Sequence, residues 1–313
     1  MKIQWFPGHM HKAQKEIRQV LSGIDVVIEV LDARIPYSSQ NPLLAGILSE
    51  RPRLRILNKR DLADPGMTAQ WLEHLAQEAQ TTVLATCRED ASTFRDMPSL
   101  CRELAPETNR ERPVHALIVG IPNSGKSTII NRLAGLSVAK TGNEPAVTRA
   151  QQRIDIGHGV VLRDTPGVLW PNLENRAGGY RLAVTGAIRD TAIDSADVAM
   201  FAAEFLQQHY PERLQERYEW AITADAEALS VLEHIGHLRG CLGGGGLVDL
   251  DRVARMLLTD IRSGQLGPLT FETPETMQRE EQEIVQERNR READKKERTE
   301  KRRARHRQQR KKN

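Results

Sequence analysis

An α/β domain built on a parallel sheet, followed by a smaller all-helical domain and a charged tail, is what the sequence predicts. Three observations carry this. From Ile24 to Gly120, short β-branched runs alternate with helix-period segments, the rhythm of a parallel sheet covered on both faces. One of those runs, HALIVG, flows straight into GIPNSGKS, Gly120 to Ser127. Beyond Pro171 the strand pattern stops and apolar residues recur at helical spacing.

Taken in order, PGHMHKAQKEIRQVL places Ala13, Ile17, Val20 and Leu21 on one face of a helix. IDVVIEVLDAR, Ile24 to Arg34, is nearly continuous in apolarity and reads as a buried strand; the polar loop IPYSSQNP follows. LRILN and TTVLAT are strands, each followed by a helix, PGMTAQWLEHLAQEA and ASTFRDMPSLCRELA. PETNRERP, bracketed by prolines, is a connecting loop. The strand HALIVG then leads through the glycine-rich loop into a helix from Lys126 to Leu133, and RIDIGHGVVLRDTPG reads as two short strands joined at Gly157-His158-Gly159.

The later segments ADVAMFAAEFLQQHYPERL, DAEALSVLEHIGHLRG and DLDRVARMLLTDIRSGQLG form a helical bundle, with Val198, Phe201, Ala202 and Phe205 on one apolar face and Val253, Met256, Leu257 and Ile261 on another. Gly243 to Gly246 has no strand before it and no Gly-Lys-Ser/Thr after it, so it reads as an inter-helix turn and not a second phosphate loop. The expected organisation is residues 1–175 for the α/β domain with its N-terminal helix, 176–270 for the helical domain and 271–313 for the tail.

Charge is unevenly distributed. The 313 residues carry a net +3, but residues 275–313 hold 15 Lys/Arg against 9 Asp/Glu, which leaves −3 for the rest. The end, KRRARHRQQRKKN, cannot build a core; it is either disordered or a lone charged helix, and either an RNA contact or a solubilising tail. Cys87, Cys101 and Cys241 form no CxxC pair, which argues against a zinc site or a disulfide framework and fits a reducing cytoplasm. No apolar run approaches the roughly 20 residues of a membrane span, and the amino end lacks the apolar region of a secretory signal. A protein working off the membrane is expected.

GIPNSGKS matches G-x-x-x-x-G-K-[ST]. Glycines let backbone N–H groups close on phosphates, Lys126 supplies charge to the outer phosphates, and the Ser127 hydroxyl ligates Mg²⁺. DTPG, Asp164 to Gly167, ends a strand 37 residues after Ser127, where a carboxylate directed at Mg²⁺ and a γ-phosphate-sensing glycine amide belong. NKRD, Asn58 to Asp61, also ends a strand. The Asp61 carboxylate accepts from the N1–H and exocyclic amine of guanine, which adenine lacks, and the Asn58 amide meets N7 or O6. GTP and GDP are therefore the expected ligands.

The base-reading stretch precedes the phosphate loop in the chain. An αβ sheet whose termini lie close together tolerates joining them and cutting elsewhere, and every strand keeps its neighbours. A circular permutation accounts for the order, with both loops at the carboxyl edge of one sheet.

With that order, and with WFPGHMHKA, DARIPYSSQNP and DTPGVLWP, the chain from Met1 to about Gly267 resembles the circularly permuted GTPases of the ribosome biogenesis GTPase A family. The resemblance implies a circularly permuted Ras-like P-loop GTPase domain followed by a small all-helical domain, in motif order G4-G5-G1-G2-G3. It also implies a monomeric cytoplasmic bacterial GTPase that binds the maturing large ribosomal subunit, contacts its rRNA and promotes late assembly, with hydrolysis stimulated by the particle. Carried over by matching motif, Asn58, Lys59 and Asp61, Thr86 and Cys87, Asn123, Ser124, Gly125, Lys126, Ser127 and Thr128, Thr148 and Gly167 bind the nucleotide. Ser127, Thr148 and Asp164 serve Mg²⁺, and Asn123 matches the asparagine that helps hold K⁺ in potassium-dependent relatives. Around Thr148 this chain reads Pro145-Ala146-Val147 where the family often has a glycine.

In Ras-like enzymes a glutamine after the DxxG glycine orients the attacking water; here Val168 stands there and cannot hydrogen-bond it. From the residues alone His9 is open between water activation, a cap on the first helix and an RNA contact; the resemblance implies the first. Arg34 and Arg149 are further candidates for a charge-stabilising finger, or for phosphate or RNA contacts. An alternative function is a nucleotide-gated RNA- or ribosome-binding factor, such as one controlling subunit joining, in which hydrolysis is incidental. A role in small-subunit maturation lacks the expected amino-terminal barrel and zinc-ligand cluster.

Overall fold

The structure, a computed structural model, describes residues 19, 21–42, 46, 48, 51–106, 112–135, 153–165, 175–220 and 226–310. Six strands form one sheet: β1 (Val26–Asp32), β2 (Arg53–Asn58), β3 (Thr81–Ala85), β4 (Val114–Gly120), β5 (Arg153–Asp155) and β6 (Val160–Asp164). Their order is β3-β2-β1-β4-β6-β5, with every pairing parallel except the short edge pair β5–β6. β1 is central and buried along its whole length, as its nearly continuous apolar run requires; the one charge inside it, Glu29, is paired with Arg55 of β2 at 2.9 Å. One face of the sheet buries Val26, Ile28 and Val30 with Ile56, Ile118 and Leu162, under Phe94, Met97 and Ile129. The other buries Ile24, Val27, Leu117 and Val119.

Helices α1 (Pro65–Ala76), α2 (Ala91–Glu103) and α3 (Lys126–Ala134) connect the strands. The first two start on aspartate caps, Asp64 accepting from the Met67 N–H and Asp90 from the Thr93 N–H, each satisfying one of the unpaired amides of a helix start. The helical region comprises α4 (Arg176–Val184), α5 (Ser195–His209), α6 (Pro211–Tyr218), α7 (Ala228–Leu238) and α8 (Leu250–Ser263). Of the predicted apolar faces, Val198, Ala202, Val253, Leu257 and Ile261 are buried in one core, with Phe201, Phe205 and Met256 packed against it. The run read as a single helix through residue 214 is two helices, because Tyr210 ends α5 and Pro211, which has no N–H to donate, opens α6. The Gly243 to Gly246 stretch is a turn between α7 and α8, closed by the Gly243 N–H donating to the Leu247 carbonyl at 2.8 Å.

The helical core also takes in Ile35 and Ile121, which lie just past the carboxyl ends of β1 and β4. Residues 1–273 accordingly form one compact unit, and 274–313 a second. Leu269 to Glu272 is a buried strap of the first unit: the Leu269 N–H donates to the Leu62 carbonyl, the Phe271 N–H to Arg34, and Phe271 is fully buried. The second unit is helical, α9 (Pro274–Arg310), with ion pairs along its surface such as Arg291 to Glu287 at 2.9 Å. Over Pro274–Arg310 the chain is helical.

Candidate functional site

Parallel pairing brings the carboxyl ends of β1, β2, β3, β4 and β6 to one edge of the sheet, with Asp32 in register with Asn58 and Ile118 with Asp164. There the two loops written in reversed order meet. The Asn58 Nδ2 donates to the Ser124 carbonyl at 2.7 Å, across 66 residues of sequence. The approach is so close that a Cβ on Gly125 would lie 2.1 Å from that nitrogen, and Gly125 has φ +96°, in the region that favours glycine. At the start of the loop a Cβ on Gly120 would lie 2.5 Å from the Val30 carbonyl of the neighbouring strand.

The phosphate-loop segment has the features of an anion cradle. Helix α3 begins at Lys126 with no side chain capping its first turn, so its N–H groups and dipole are available to an anion. Among the described residues the buried Ser124 Oγ has no hydrogen-bond partner, an arrangement that costs free energy unless a ligand completes it. Ser127 and Thr128 lie half-buried in the first helical turn, and Lys126 and Asp164 are buried. The next residue, Thr165, anchors the end of β6 by donating from its hydroxyl to the Ile118 carbonyl at 2.8 Å.

Burial pushes the Lys126 ammonium down to about 8, against the pull of the Asp164 carboxylate. A bound phosphate favours the charged form. Below pH 8 Lys126 is already protonated; between about 8 and its ordinary 10.5, binding must take up a proton, so GDP affinity is expected to fall by up to roughly tenfold per pH unit. Stability of the free protein moves oppositely: folding disfavours the charged lysine, so the cost is present below the folded pKa and is relieved as pH rises through that window. The rise in Tm on adding GDP should therefore shrink from pH 8 to 10 in a thermal-shift series.

The segment at Thr86 and Cys87 is zipped to the Asn58–Asp61 loop. The Thr86 N–H donates to the Leu57 carbonyl at 2.9 Å, and its own carbonyl accepts from the Arg60 N–H at 3.0 Å. Thr86 is buried, Cys87 half-buried and Asp61 exposed. Asn123, at φ 59°, donates its Nδ2 to the Gly186 carbonyl at 2.8 Å, in the turn after α4. His9, Thr148, Arg149, Gly167 and Val168 lie outside the described residues.

The reading of Arg34 as a finger is corrected. Arg34 is 2% exposed and grips Asp32 through both Nε (2.9 Å) and Nη2 (2.7 Å), while Nη2 also reaches the Thr185 carbonyl at 3.3 Å. A guanidinium committed to a buried carboxylate cannot extend to a phosphate or to RNA without breaking that pair. Lys59 shares the same carboxylate, Nζ to Asp32 Oδ2 at 2.8 Å. Burial would raise the Asp32 carboxyl, but Arg34 and Lys59 hold it far below the usual carboxylate range. An acid closing a nearly continuous apolar strand, with an arginine two residues on, is the signal for this cluster in the sequence.

A family model described as "50S ribosome-binding GTPase" matches residues 115–233. Ribosome biogenesis GTPase A of Bacillus cereus is 44% identical over 283 residues, covering 88% of this chain and 95% of its own, and that of Priestia megaterium is 44% identical, covering 88% and 98%. The chain belongs to the ribosome biogenesis GTPase A family. Among solved structures, GNP-bound YlqF from Thermotoga maritima is 26% identical with a TM-score of 0.60, covering 85% of this chain and 99% of its own. Membership of the ribosome biogenesis GTPase A family makes the chain a GTP-hydrolysing enzyme with circularly permuted order. Among the described residues no three or more His, Cys, Asp or Glu gather as a metal site. The Asp164 carboxylate and Ser127 hydroxyl are hard oxygen donors that suit Mg²⁺, a cation usually completed by substrate phosphates and water.

Proposed function

We propose that this GTPase is an assembly factor of the large ribosomal subunit, acting as a cytoplasmic monomer on late particles whose rRNA it contacts and which stimulate its hydrolysis. The single observation that supports it most is the 2.7 Å bond from Asn58 to Ser124, which holds side by side the two loops that a permuted guanine-nucleotide site needs. In this reading Asn58 and Asp61 recognise guanine, Thr86 and Cys87 border it, and Asn123 to Thr128 cradle the phosphates with Lys126 as the charged group. Mg²⁺, when bound, neutralises charge developing on the β- and γ-phosphate oxygens. Ser127, Asp164 and Thr148 are the residues that hold it, Gly167 senses the γ-phosphate, and Asn123 serves a K⁺ ion.

With Val168 at the position of the water-orienting glutamine, the free enzyme lacks a group to align water, and His9 supplies it. The helical region from 176 to 270 and the basic tail carry the rRNA contacts; among the described residues no helix is long and apolar enough to cross a membrane. GTP turnover measured with and without purified large-subunit assembly intermediates tests this reading. Strong stimulation, lost in His9→Ala while GDP affinity stays near normal, is expected. Unstimulated turnover would favour the nucleotide-gated binding factor instead, and a joint loss of affinity and kcat in His9→Ala would remove the histidine from catalysis.

A further inference from the structure

We propose that Asp32 is a positioning residue for guanine recognition, holding Lys59 and with it the 58–61 loop in the base-reading conformation. The proposal rests on the reading that this loop recognises the base. Asp32 closes β1 directly beside Asn58, and its own N–H is fixed on the Ser39 Oγ at 3.1 Å. Its carboxylate already has a complete partner: Arg34 binds both oxygens, at 2.9 and 2.7 Å. Charge compensation therefore does not call for a second cation. Lys59 nevertheless reaches the same Oδ2 at 2.8 Å, although burial works against its ammonium.

What the second contact does is geometric. Lys59 sits at φ 62°, ψ 37°, in the left-handed region that L side chains rarely adopt. Its neighbours are pinned, Asn58 by Ser124 and the Arg60 N–H by the Thr86 carbonyl; Asp32 pins the residue between them, whose turn aims Asp61. The same carboxylate also frames the loop against the helical region. Arg34 reaches the Thr185 carbonyl at 3.3 Å, one residue before the Gly186 carbonyl that receives Asn123 of the phosphate loop at 2.8 Å. Both nucleotide loops thus rest on one turn at the end of α4.

A double-mutant cycle on the full chain tests this, with GDP and IDP as calorimetric probes; IDP lacks the 2-amino group that Asp61 would read. Asp32→Asn should weaken GDP binding about 10- to 100-fold and narrow the GDP-to-IDP preference. In a Lys59→Met background the same change should cost less than about twofold. Because Asp32→Asn strands the Arg34 cation, the pair Asp32→Asn/Arg34→Met is measured alongside and should couple to Lys59→Met in the same way. Additive losses, or no loss in either Asp32 background, would overturn the proposal. Asp61→Ala separates it from the reading beneath it: an unchanged GDP-to-IDP ratio there means that the loop does not read the base at all, whereas a collapsed ratio with additive Asp32 effects refutes the positioning role alone.

Discussion

Gly125→Ala abolishes guanine-nucleotide binding, raising Kd by more than about 100-fold, in a protein that still folds. The new methyl would lie 2.1 Å from the Asn58 Nδ2, and two responses are available. If Asn58 swings away, its hydrogen bond to the Ser124 carbonyl is lost, a buried carbonyl is left unpaired, and the base loop separates from the phosphate loop. If the loop moves instead, Gly125 leaves its φ of +96° and the first amides of α3 turn from the phosphates. Either way one small change damages both halves of the site. Calorimetric titration with GDP reads the affinity, and far-UV circular dichroism checks the fold. Binding within about threefold of wild type would show that the two loops do not share a pocket.

Glu272→Ala, a change outside the nucleotide loops, is expected to cost about 3–5 kcal/mol of stability. The carboxylate is 1% exposed. It accepts from the backbone N–H groups of Tyr37 and of Ser38 (2.8 Å), from the Ser38 hydroxyl at 2.6 Å, and from Arg181 at 3.3 Å. The residue's own carbonyl takes the Trp71 indole N–H at 3.0 Å. Truncation removes the charge facing a buried guanidinium and the acceptor of several donors at once, where α1, α4 and the loop after β1 converge. For a compact unit of this size the loss corresponds to a fall in Tm of roughly 10 °C, measurable by scanning calorimetry. Glu272→Gln, which keeps an acceptor but not the charge facing Arg181, should fall between.

The sheet was legible because its strands are nearly continuous β-branched runs, such as VVIEVLD in β1, that have few other stable uses. The meeting of the two loops was legible for a related reason: closing a backbone on phosphates and reading guanine both demand particular residue types at fixed spacing, so GIPNSGKS and NKRD stand out in the sequence. Helix α4 was not legible. Its sequence RAGGYRLAV has two adjacent glycines, which local propensity disfavours in a helix. Packing overrides that preference, since a Cβ on Gly178 would already press on the Ser38 Oγ at 3.3 Å.

Partners distant in sequence were equally invisible. Glu272 lies in a stretch that composition assigns to the tail, yet its partners Ser38 and Arg181 stand 234 and 91 residues away. Arg34 was misread because an arginine beside a nucleotide loop has the same sequence signal whether it faces a phosphate or a buried aspartate; only the fold distinguishes them. The helical state of residues 274–310 draws on weak intrahelical contacts such as Arg291 to Glu287, which composition alone cannot separate from disorder.

In the proposed site, Asn58 to Asp61 and Gly120 to Ser127, reversed in the chain, together hold one guanine nucleotide. The most direct measurement is competition binding of GDP, ADP and XDP to wild type and to Asp61→Asn. Xanthine carries a carbonyl where guanine carries the 2-amino group, so an amide in place of the carboxylate restores donor-to-acceptor pairing with the wrong base. Wild type should prefer GDP and the variant XDP; an Asp61→Asn protein that still selects GDP by the wild-type ratio would contradict the account.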